Sequence, residues 1–66
     1  MLLEFCERLH ASLEALIQER SEVVADGAAS DFVDYKARCA EIDGLKRAQR
    51  MVEEERRRIL EEDDDD

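Results

Sequence analysis

From Leu2 to Val23, apolar side chains return at alternating intervals of four and three: Leu2, Cys6, Leu9, Leu13, Leu16 and, after Arg20 interrupts the series, Val23. That spacing holds one stripe of a helix against a neighbour along its length, a periodicity that a strand does not share. Leu3, His10, Ile17 and Val24 each follow a seam residue by one position. They widen the stripe into a face that asks for more than one neighbour. The pattern predicts a first helix over residues 2–25. Gly27 should end it, because glycine takes the left-handed conformation that closes a helix at low cost.

Residues 26–30 form the expected turn, and Ser30 or Asp31 can cap a second helix over residues 31–60 by accepting hydrogen bonds from its unpaired amides. Asp31 with Asp34 three residues on has the spacing of a short-armed capping box. The second helix carries Phe32, Tyr35, Cys39, Ile42, Leu45, Ala48, Val52 and Ile59, and the three-residue steps from Ile42 to Ala48 resemble a stammer in a coiled coil. So short a connection makes the two helices antiparallel neighbours. The predicted class is all-α: a coiled-coil-like two-helix hairpin with the second helix longer.

Folding symmetrically about the loop would set position i level with 57 minus i, so that Leu13 meets Gly44, Leu9 meets Ala48 and Ile17 meets Ala40. Large residues would oppose small ones, as close packing favours. Gly44 would then have a reason to occupy a helix interior, where glycine costs ~1 kcal/mol relative to alanine; the alternative is a helix break there. The expected helix-to-helix packing set is Leu9, Leu13, Leu16, Ile42, Gly44, Leu45, Ala48 and Val52. In this register everything beyond Arg56 overhangs. Leu3, His10, Ile17, Val24, Phe32, Val33, Ile59 and Leu60 are left as an expected protein interface.

With 66 residues, no proline, two glycines and 44% charged residues, the chain lacks the turn residues an all-β fold needs. A domain this small buries only roughly 60% of its unfolded surface. Packing against copies of itself or a larger structural protein is the expected source of further stability, which implies a homo-oligomer or a multi-copy component, with a self-assembling coiled-coil adaptor of four helices in a dimeric bundle as one alternative. The net charge of -9 is concentrated at the end: residues 1–60 hold all ten bases and thirteen of the nineteen acids. Near balance does not favour phosphate binding, so no direct nucleic-acid contact is expected. The basic run Arg56 to Arg58 is bracketed by Glu53 to Glu55 and by the acidic tail, residues 61–66. Such a tail reads first as a solvated end, and second as a nucleic-acid mimic directed at a basic protein. The start, MLLEFCERLH, lacks a basic leader and an unbroken apolar stretch, and no segment reaches the ~18 apolar residues that span a bilayer. With two cysteines and no leader, the expectation is an intracellular, cytoplasmic protein without membrane contact.

Cys6 and His10, four apart on one face, have the spacing of half a metal site, but one thiolate and one imidazole do not complete one. Cys39 sits about twelve residues from the level of Cys6, roughly 18 Å along the axis, too far for a ligand or a disulfide. No metal, cofactor or enzyme activity is expected, because a hairpin offers no pocket in which Cys6, His10 and Tyr35 could converge.

The stretch DFVDYKARCAEIDGLKRAQRMVEE resembles the second helix of small helical-hairpin proteins encoded among the virion-assembly genes of tailed phages. Their acidic cap, tyrosine, arginine, isoleucine, Gly-Leu, small and aliphatic positions correspond here to Asp31, Tyr35, Arg38, Ile42, Gly44, Leu45, Ala48 and Val52. The resemblance spans about residues 31–54 and leaves out the Arg-rich segment and the acidic end. It implies a non-catalytic accessory protein of a virion, in multiple copies on a capsid, portal or neck surface.

Overall fold

A computed structural model describes residues 1–64 of the chain. Two helices, α1 (Leu2–Ala25) and the longer α2 (Phe32–Asp64), pack together as a helical hairpin, with no strand among the described residues. The molecule measures 55 × 16 × 12 Å.

The connection is built as the residues suggest. Gly27 takes φ +83°, its N–H donates to the Val24 carbonyl at 3.0 Å, and the Ala28 N–H donates to the Val23 carbonyl at 3.3 Å. These two bonds make a Schellman closure of α1. At the start of α2 the Asp34 N–H donates to Asp31 Oδ1 at 2.8 Å, while the Asp34 carboxylate accepts the Ser30 backbone N–H at 3.0 Å. The reciprocal cap is thus present, with its return bond displaced by one residue from Asp31 to Ser30. Arg38 Nε, one turn on, donates to the same carboxylate at 3.2 Å.

Cross-helix pairs set the register. Glu7 pairs with Arg56, His10 with Glu53, Glu14 with Gln49 and Arg20 with Glu41. Position i is therefore level with 63 minus i, and with 61 minus i nearer the loop. This corrects the symmetric fold at 57 minus i. The six connecting residues run past the end of α1 before α2 begins, displacing α2 by roughly 9 Å at 1.5 Å per residue.

Three corrections follow from that displacement. Ile59 does not overhang; it is half-buried at the level of Leu3 and Glu4. The unsupported turn of α2 is its first, at the loop end, where Phe32, Val33 and Tyr35 are exposed and the Lys36 ammonium lies 5.6 Å from the Phe32 ring centre. Finally, α2 runs through Asp64 rather than giving way to a tail at residue 61, and Asp65 and Asp66 lie outside the described residues.

Rotation of α1 brings a further correction. Its inward seam is Leu3, Cys6, His10, Leu13, Ile17 and Val24, with Ile17 at 6% exposure and Cys6 at 8% the most buried residues. Ile17 thus belongs to the interior and not to an outer face. Leu9, expected inside, is 38% exposed, while Leu16 is half-buried beside the seam. The turn that brings Ile17 inward also lets Glu7, His10 and Glu14 reach their partners on α2. Such exposed pairs contribute little individually, but all three favour the same rotation.

Gly44 does not face Leu13. It is exposed within an unbroken α2, and a Cβ built there meets nothing within 4 Å. Gly44→Ala should therefore stabilise the helix by ~1 kcal/mol, since alanine restricts the unfolded backbone and adds no clash. Thermal melting monitored by circular dichroism in dilute solution, where only contacts within one chain remain, checks this; a lower melting temperature there would restore a close neighbour within the chain at Gly44.

Candidate protein-docking surface

The two flanks of the hairpin differ in chemistry. One is polar: Arg56 Nη2 lies 3.7 Å from Glu7 Oε1, His10 Nε2 lies 3.1 Å from Glu53 Oε1, and Gln49 Nε2 donates to Glu14 Oε2 at 2.7 Å. The Gln49 bond, with a second from Gln18 at 3.3 Å, holds the Glu14 carboxyl below its ordinary value.

The other flank is apolar. There Phe5, Cys6 and Leu9 of α1 and Met51, Val52 and Glu55 of α2 line a groove of about 210 Å³. Phe5 is 56% and Met51 66% exposed, and Leu2 continues the row toward the chain start. Lone exposed apolar residues are ordinary, but a contiguous row with a groove between two helices is a candidate interaction surface. Glu55, bridged to Arg58 at 2.8 Å, supplies charge at its edge.

The residues expected to form the interface separate into two groups. Leu3, His10, Ile17 and Val24 are turned toward α2, and Ile59 is half-buried among them. Phe32 and Val33 are exposed at the loop end, and Leu60 is partly exposed near the other end. Of the expected packing residues, Leu13, Leu16, Ile42, Leu45, Ala48 and Val52 are half-buried, whereas Leu9 and Gly44 are exposed. Phe5 and Met51 are the residues that reasoning from sequence missed. Phe5 lies three residues after Leu2 and four before Leu9, so a second three-and-four row was legible beside the first.

Cys6 and Cys39 are both free, Cys6 in the seam and Cys39 nearer the loop. The Cys39 thiol, hydrogen-bonded to the Tyr35 hydroxyl one turn earlier, raises that hydroxyl above its ordinary value. No cluster of three or more His, Cys, Asp or Glu side chains able to hold a metal occurs among the described residues, and neither helix is long and apolar enough to cross a membrane.

At the loop end, the Ser30 amide and then Arg38 hold the Asp34 carboxyl below its ordinary value. A carboxyl lowered in the folded state contributes stability above its unfolded value and loses it as pH falls through the folded one. The first turn of α2 should thus begin to loosen in acid below about pH 3.9, the unperturbed aspartate value. Amide exchange at Phe32 to Tyr35 measures this, and in Asp34→Asn the corresponding acid step should vanish.

No known protein family, characterised protein or solved structure matches this chain.

Proposed function

We propose that this chain is a non-catalytic structural protein, an antiparallel coiled-coil-like hairpin that works by packing on protein surfaces, and that it serves as an accessory component of a phage virion. The observation that carries the packing role is the one-sided flank: Leu2, Phe5, Leu9 and Met51 stand exposed together while the opposite flank is closed by polar pairs. A polar flank needs no cover, and an apolar one gains from it. The virion assignment rests on the resemblance of residues 31–54 to phage assembly hairpins. Mass spectrometry of purified native complexes tests it. Recovery with capsid, portal or neck proteins at fixed stoichiometry is expected, and a complex lacking such proteins would overturn the assignment.

A second reading draws on α2 remaining helical through Asp64, which fixes Glu61 to Asp64 on one continuous helix. An acidic helix end of that kind suits a regulatory binder that mimics nucleic acid against a basic protein. Salt separates the two readings: mimicry weakens steeply as ionic strength rises, while apolar docking does not. Truncation after Leu60 should abolish mimicry and spare apolar docking.

A further inference from the structure

We infer that the groove between Phe5 and Met51 is filled by a second copy of this chain, the two hairpins forming a four-helix bundle with both loops at one end. This rests on the proposed packing function and names the partner for its apolar flank.

Surface area makes the first argument. A compact monomer of 7.7 kDa exposes about 4,300 Å² by the scaling of folded surface with mass. This chain exposes 5362 Å², roughly 1,000 Å² more than that scaling gives. A standard interface buries ~800 Å² on each partner, so the excess is of the size that one such contact removes.

The groove's two walls make the second. On α1 the row running through Phe5 and Leu9 continues at three-and-four spacing through Ser12 to Leu16 and, past Glu19, to Val23. The row on α2 that passes through Met51 runs back through Ala48, Gly44 and Glu41 to Ala37, with Gly44 one heptad before Met51 and so on the same side of the helix. One wall is large and the other small. A two-fold axis parallel to the helices lays α1 of each copy along α2 of the other at the level already set within the chain. The partner's Leu16 then falls between Gly44 and Ala48, its Leu9 between Met51 and Glu55, and its Val23 between Ala37 and Glu41, beside the Arg20 to Glu41 pair.

Gly44 connects the two arguments. It weakens the middle of a 33-residue helix, and nothing in its own chain comes within 4 Å of a Cβ placed there. In the bundle, its missing side chain is what admits the partner's Leu16. A bulkier residue at Gly44 should thus have opposite effects on the helix and on the dimer.

Sedimentation equilibrium of the full chain, with circular dichroism across the same dilution series, tests the inference. The expected result is a dimer whose dissociation constant rises at least tenfold in Met51→Asp and in Gly44→Leu, with the Gly44→Leu chain no less helical at matched monomer fraction. Ala11→Leu, on the outer side of α1, should leave the constant within twofold. A dimer insensitive to both groove variants overturns this interface. A monomer that is mostly unfolded overturns the second copy as partner while leaving the packing function intact. A folded monomer, melting independently of concentration, overturns both.

Discussion

Ile17→Ala should strip away a large part of the folding stability of the hairpin, bringing the chain to its unfolding midpoint at ambient temperature at the top of the range. Ile17 is the most buried side chain of the hairpin, at 6% exposure, level with Leu45 midway along the helix pair. Truncating a buried isoleucine to alanine costs about 2 to 5 kcal/mol, through lost transfer energy and the cavity that remains. Small domains begin from ~5 kcal/mol, so that loss removes from about two fifths of the total to all of it. Only Cys6, at 8% exposure, is comparably buried, and no second core is present among the described residues to compensate. Urea titration followed by helical circular dichroism measures the effect. Leu9→Ala provides the contrast, since it removes a side chain of similar size from the groove rather than the seam. Its cost should shrink on dilution as the second copy leaves, whereas the cost of Ile17→Ala should persist at every concentration. Equal costs for the two at high dilution would mean that α1 is rotated toward Leu9.

The contrast also explains how much of this hairpin could be read in advance. Two helices, the loop position, the Gly27 closure and the cap by Asp31 and Asp34 all depend on neighbours within a few residues, and each was legible in the residue types. Rotation and register were not. On α1, Leu2, Leu9 and Leu16 offer one heptad row and Leu3, His10 and Ile17 another, with Cys6 and Leu13 common to both. Apolar content alone ranks the Leu9 row first. What distinguishes them is whether Glu7, His10 and Glu14 find Arg56, Glu53 and Gln49, and that depends on a register set by the path of six loop residues. The misplaced candidate residues share this cause. Rotation decides that Ile17 faces inward and Leu9 outward, while register decides that Ile59 is covered by α1 and that Gly44 does not meet Leu13.

Gly27→Val should lower stability by about 1 to 2 kcal/mol, entirely through the backbone. Gly27 sits at φ +83° with open space around the Cβ position, so no steric neighbour contributes to the cost. The penalty comes from forcing a β-branched residue into the left-handed region, where such residues are outliers. If valine instead moves the backbone to negative φ, the Gly27 and Ala28 N–H groups lose the Val24 and Val23 carbonyls, and α1 loses its closure. That second outcome also disturbs the loop path that sets the α2 register, so the Glu14 to Gln49 and His10 to Glu53 pairs should then weaken as well. Asparagine tolerates the left-handed region, so Gly27→Asn should retain most of the stability that valine forfeits. Thermal melts of the two variants at matched concentration decide the matter: the valine chain should melt well below the asparagine chain, and equal melting temperatures would show that the hairpin does not depend on positive φ at this turn.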